Sequence, residues 1–285
     1  MGNSIARDIK TIFRQKSSVL TECILLLLIM GNYIKNIFVY RGTELSRMYY
    51  PMKLILVSLN NINDRADFSI LFIFLFPILA ILPYGFNYVN EHNTGIEFLV
   101  RARIGDKRYV YSKILSSFTC TFAIFAIPLI ADIVITGLTF PISAKGDLLN
   151  YSIYSVEYLS VVDRYWMSGF FYKNPLLYTI VFSLGIAVFA GLMSAFTTGL
   201  SYAFPLKYRV FLILPVYFIM NLTIAFDGVF GDKNISISWY ENLMLFGELN
   251  KSGVLVFLFS ISLMALTWIF VLIGKQRRKT GRVQI

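Results

Sequence analysis

Long apolar runs alternate with short charged stretches along this chain, and the runs set its architecture. Those at 19–39, 68–88, 109–138, 175–204, 210–226 and 252–274 are each long enough for a helix that rises 1.5 Å per residue to cross a hydrocarbon layer. Six membrane spans are therefore expected. Ahead of them, Ile5, Ile9, Ile12 and Phe13 share one helical face while Arg7, Lys10, Arg14 and Lys16 lie elsewhere, which predicts an amphipathic helix over 4–17, capped by Ser4, lying flat in the interface. Leu54 to Val57 is too short a run to cross, so 41–67 reads as an external loop with an interfacial helix. Pro77 and Pro83 are expected to kink the second span, and Pro128 to break the third partway. Between 141 and 174, Tyr151, Tyr154, Tyr158, Tyr165 and Trp166 predict a loop skimming an interface. Only 205–209 separates the fourth and fifth spans, which makes them expected antiparallel neighbours. Apolar groups such as Val229, Phe230 and Trp239 predict that 227–250 dips back into the outer leaflet as broken helices.

The fourth span carries small residues every four positions: Ala187, Gly191, Ala195, Gly199 and Ala203. In lipid, association is driven by close van der Waals contact, so this stripe predicts a helix against which others pack tightly.

Composition agrees with the pattern. Of 285 residues, 57% are hydrophobic and 15% charged, with a mean hydropathy of +0.66, which excludes a soluble domain and predicts an all-α integral membrane protein forming one transmembrane domain. The net charge of +10 first suggests nucleic acid, but its placement points elsewhere. Stretches 1–18, 90–113, 204–209 and 275–285 together hold 16 Lys/Arg against 4 Asp/Glu. The positive-inside rule then puts both termini and the 90–113 stretch in the cytoplasm, with anionic lipid contact as a side effect. Cys23 and Cys120 sit inside apolar runs and read as small buried hydrophobes. No cleavable leader is expected, and Ala6 spoils an otherwise myristoylation-like start.

Catalytic chemistry is hard to find. No phosphate-binding loop and no nucleophile elbow occur, and the single histidine, His92, excludes multi-histidine metal sites. The chain is expected to be no enzyme and to hold no metal or cofactor. Asp132 and Glu22 are acidic groups within spans, candidates either for an ion pathway or for reaching the headgroups from a span end. Asn32, Tyr33, Tyr217, Asn221 and Thr223 either line a path or join helices by hydrogen bonds. An ion-coupled carrier or channel, and a non-transporting immunity or scaffold protein, are thus alternatives.

The longest charged interruption runs from Tyr88 to Lys113 and has helix-forming composition. Within it, Glu91-x-x-x-Gly95-Ile96-Glu97-x-Leu99, followed by Arg108-Tyr109 and Ser112-Lys113, resembles the cytoplasmic loop of membrane subunits of type-2 ATP-binding-cassette exporters. Ile96 stands where that family usually has Thr, Val100 takes a second Leu position, and Gly105-Asp106-Lys107 replaces a common Pro or Ser. The resemblance implies a coupling helix in 90–108 between the second and third spans. There Ile96, Phe98, Leu99 and Val100 serve as apolar knobs, and Glu91, His92, Glu97, Arg101, Arg103 and Arg108 as polar partners for a separate ATPase subunit. Gly95 permits the sharp entry, and Glu91 pairs with Arg108 or Lys113. It further implies ATP and Mg on that ATPase, a homodimer or heterodimer of permease chains in a bacterial cell membrane, and a path lined by Asn32, Tyr217, Asn221 and Thr223. Small external loops favour an amphipathic peptide, drug or lipid as the exported substrate.

Overall fold

Apolar runs of this length bury their backbone polar groups in the only way a single segment can, as helices. The computed structural model describes residues 15–43, 51–58, 67–85, 87–141, 167–204, 209–230, 238–239 and 254–279, and among them there is no strand. In chain order the helices are α1 Lys16–Tyr40, α2 Asp67–Ile81, α3 Asn87–Asn93, α4 Ile96–Ile104, α5 Asp106–Thr139, α6 Ser168–Lys173, α7 Pro175–Ala203, α8 Ile213–Phe230 and α9 Val254–Lys279, with 3-10 turns at Pro51–Lys53 and Arg209–Leu212. Four of them, α1, α5, α7 and α9, are long and apolar enough to cross a membrane, and on that ground this is a multi-pass membrane protein. The other two apolar runs form shorter helices. With 15 residues, α2 extends roughly 22 Å at 1.5 Å per residue, short of the ~30 Å core.

At the centre lies α7. It packs along both α5 and α9, while α2 leans on it and α1 bridges α5 and α2. Every member of its small-residue stripe is buried. A Cβ on Gly191 would lie 2.9 Å from the Phe118 carbonyl oxygen of α5, and one on Gly199 3.1 Å from the Thr267 carbonyl oxygen of α9. These two positions therefore set how closely both neighbours approach. Hydroxyls stitch the same seam: Ser117 and Ser194 are 2.8 Å apart, and Thr198 donates to Ser117 Oγ at 3.0 Å.

Several boundaries differ from the expected ones. The run at 68–88 is divided, because Pro83 disfavours helix at Leu82, and the turn at 82–85 separates α2 from α3. Pro128 does not break the third span: α5 continues through it for 34 residues, since packed neighbours in a bundle tolerate one lost backbone bond. At the other end, α9 runs on to Lys279, so much of the expected basic tail is helix. Helix α8 packs chiefly on α2, with Arg209–Leu212 touching α7.

The short run at 51–58 packs inward: Met52, Leu54, Ile55, Leu56 and Val57 are buried against the helices. Irregular backbone at such a place needs partners, and side chains supply them. Asn32 and Asn36 both donate Nδ2 to the Leu54 carbonyl, at 2.8 and 2.7 Å. The Leu56 amide donates to Asp132 Oδ2 at 2.8 Å, and Ser69 Oγ to the Ser58 carbonyl at 3.0 Å.

The expected surface helix at 4–17 lies outside the described residues up to position 14, and Lys16 and Ser17 belong to α1. The aromatic loop is likewise outside them over 142–166. In the 227–250 segment, 227–230 continue α8, and Trp239 stacks on Phe76 with ring centroids 5.8 Å apart. Ser238 is buried beside it, and 231–237 and 240–250 are not among the described residues. Cys23 and Cys120 are both free thiols, the first exposed and the second buried.

Candidate functional site

Two glycines frame the charged stretch. Gly95 (φ 71°) and Gly105 (φ 81°) both occupy the left-handed half of backbone space, which glycine enters without steric cost. They let the chain turn sharply twice, so α3, α4 and α5 follow one another at angles. Helix α4 presents Glu97, Val100, Arg101 and Ile104 to the protein, positions three, four and seven apart. Val100 and Ile104 pack against a cluster of Tyr88, Tyr109, Val110, Tyr202 and Val271.

Glu97 is the centre of this junction and is 0% exposed. Its Oε1 accepts from Tyr88 OH (2.9 Å), Arg101 Nη1 (2.9 Å) and Arg278 Nη1 (2.7 Å), and its Oε2 accepts from His92 Nδ1 (2.7 Å). Arg101 reaches Asp106 with its other nitrogen, Nη2. Arg278 sends Nη2 to the Tyr88 hydroxyl and lies 4.2 Å from the centroid of the Tyr202 ring. Tyr88 stacks on His92, with ring centroids 6.2 Å apart and 15° between the planes. Two carboxylates, Glu97 and Asp106, thus face two guanidinium groups, the balance a buried charge requires. Burial, and after it the charge of Glu97, push the Tyr88 phenol well above its ordinary value, so it remains a neutral donor.

Beside this quartet is a second pair. Glu91 Oε1 accepts from Lys113 Nζ at 2.6 Å, and its Oε2 from Tyr109 OH at 2.7 Å. Of the two bases expected to pair with Glu91, the structure brings Lys113, while Arg108 is exposed.

The opposite face of α4 is bare. Ile96 is 47% exposed, Phe98 40% and Leu99 67%, and Arg103, Lys107 and Arg108 are exposed nearby. The expected knobs therefore separate into two sets: Ile96, Phe98 and Leu99 face outward, and Val100 faces inward. Glu91, Glu97 and Arg101, expected to offer charge to a partner, are engaged within the chain.

The proposed path residues are spread over different tasks. Asn32 holds the Leu54 carbonyl, as described above. Tyr217 donates to the Phe74 carbonyl at 2.7 Å, and Asn221 Nδ2 to the Tyr217 carbonyl on its own helix at 2.8 Å. Thr223 Oγ1 donates to the Met220 carbonyl (2.7 Å) and accepts from the Trp239 amide (3.3 Å). Among the described residues no hydrogen bond joins Asn32 to the three on α8. Asp132, the candidate ion-pathway residue, is 1% exposed and accepts from Leu56.

Sequence reasoning missed Arg278, Tyr88, Tyr202 and Asp106 as parts of the junction. One signal was present: helical spacing puts Glu97 on the face of Val100 and Ile104, which an inward-facing apolar pair should have flagged as buried. Compared with protein-family models, with curated proteins and with solved structures, the chain gives no match in any of the three.

Proposed function

We propose that this chain is the permease subunit of an ATP-driven exporter, energised by separate ATP-binding-cassette ATPase subunits that dock on 90–108. One observation carries the reading. A nine-residue helix, α4, is anchored inward by a fully buried carboxylate and presents Ile96, Phe98 and Leu99 outward, beside Arg103 and Arg108. Large apolar side chains in a basic rim, on a helix outside the apolar spans, suit insertion into a groove of another protein. The chain's resemblance to type-2 exporter permeases over Glu91–Lys113 supplies the identity of that partner, which would bind ATP and Mg. In this reading α2 and α8 complete a set of six spans, both termini are cytoplasmic, and the protein works in a bacterial plasma membrane. It forms a homodimer or heterodimer with a second permease chain. The exported substrate is an amphipathic peptide, drug or lipid-like molecule.

An ion-coupled carrier built on Asp132 is the weaker reading, because that carboxylate already serves the backbone of 51–58.

Co-purification from detergent with a co-expressed ATP-binding-cassette ATPase from the same locus tests the proposal. The pair Phe98→Asp and Leu99→Asp, placed on the outward face, should abolish complex formation while the chain still folds and inserts. Retention of the complex by that folded variant would overturn the docking assignment.

A further inference from the structure

We infer that Arg278, at the far end of the chain, is a positioning residue for α4, tying the proposed docking helix to the last membrane helix. The inference rests on the docking reading for its functional meaning, but its structural content does not.

Four groups donate to Glu97, and three of them are local: Tyr88, His92 and Arg101 all lie within nine positions of it. Arg278 is the exception, 181 positions away and on α9. Its guanidinium is fixed in three ways at once: Nη1 on Glu97, Nη2 on the Tyr88 hydroxyl, and the plane against Tyr202 of α7. A planar fork can satisfy such a site, and an ammonium cannot. Elsewhere α9 packs mainly on α7, with Trp268 and Lys275 meeting Tyr111 of α5. Much of its remaining surface, including Phe257, Leu258, Ile261 and Leu272, is exposed. Arg278 is thus a polar connection from α9 to α4. Displacement of α4 by a partner would carry the end of α9 with it.

Removing Arg278 leaves Glu97 with one cation, Arg101, and two neutral-capable donors, so the carboxylate stays paired and the fold can persist. That makes the tie separable from folding. Arg278→Met keeps an unbranched apolar stem but loses the guanidinium, and with it the fork and the contact with Tyr202, and Arg278→Lys keeps the charge.

The test uses the full chain in lipid nanodiscs without any ATPase, with spin labels at Arg103→Cys and Gln276→Cys in a Cys23→Ser, Cys120→Ala background. The parent should give one narrow distance between α4 and α9. Arg278→Met should broaden it and raise amide exchange in 96–104 about tenfold, and Arg278→Lys should restore part of both. A narrow distance and unchanged exchange in Arg278→Met would overturn the tie. With the co-expressed ATPase added, Arg278→Met should still form the complex but export about five- to tenfold less of a fluorescently labelled amphipathic peptide, used as the probe, per ATP hydrolysed. An unchanged ratio would overturn the transmission role. If the labels respond as expected but the parent chain binds no ATPase, the tie stands and the docking reading falls.

Discussion

Two buried polar centres among the described residues are built on opposite principles. At the junction of α3, α4, α5 and α9, charged side chains satisfy one another: Glu97 with Arg101 and Arg278, Glu91 with Lys113. Around 51–58, side chains satisfy backbone instead: Asn32 and Asn36 hold one carbonyl, and Asp132 holds one amide. The first centre joins elements distant in sequence through groups that can exchange partners. The second makes an irregular segment tolerable inside a bundle. A site through which motion passes suits the first construction, and a fixed plug suits the second.

Breaking the charged centre should have the largest effect. Glu97→Ala leaves two guanidinium groups partly buried without their shared carboxylate, and the expected loss is about 3–5 kcal/mol in denaturant unfolding from detergent micelles. Asp132→Leu should cost less, about 1–3 kcal/mol, because it removes the acceptor of one backbone amide and of the Thr136 hydroxyl, both uncharged donors. Here the chemistry can be sharpened: Asp132→Asn keeps a carbonyl acceptor, so it should lose under about 1 kcal/mol. Equal damage from Asn and Leu would mean that charge matters at both centres and would erase the distinction between them. Next come the two asparagines. Asn32→Leu or Asn36→Leu alone should each cost about 0.5–1.5 kcal/mol, and the double variant more than their sum, since the Leu54 carbonyl keeps one donor until both are gone. Simple additivity in the same unfolding measurement would show that the two bonds act independently. The smallest effect calibrates the rest. Gly185 of α7 is exposed with nothing within 4 Å of an added Cβ, so Gly185→Ala should be neutral or stabilise by about 0.5–1 kcal/mol.

What the sequence made legible follows the same division. Long apolar runs reveal helices because burial is written into every third or fourth residue, and the stripe from Ala187 to Ala203 reveals a packing face for the same reason. The turns at Gly95 and Gly105 lie in the stretch where charge and composition predicted a folded element. Hidden features are those whose cause lies far along the chain. Leu54 to Val57 looks like a loop because the donors and acceptors that admit it, Asn32, Asn36 and Asp132, are on other helices. Arg278 looks like one of several tail charges, since nothing local distinguishes it from Arg277 or Lys279. The path candidates Asn221 and Thr223 were legible as polar residues in an apolar run, but each bonds a carbonyl of its own helix, a use that spacing alone does not separate from a path.

Both centres share one strut. Lys113 and Asp132 stand on α5, roughly 28 Å apart along its axis at 1.5 Å per residue. The helix between them is unbroken even at Pro128, so their relative phase is set by residue count alone. Deleting one residue there would turn one centre by about 100° against the other, and no local repacking spans that angle. Insertions and deletions compatible with this plan are thus those in the connections outside α5, and any chain built on it should keep the interval between its lysine and its aspartate constant while its loops vary.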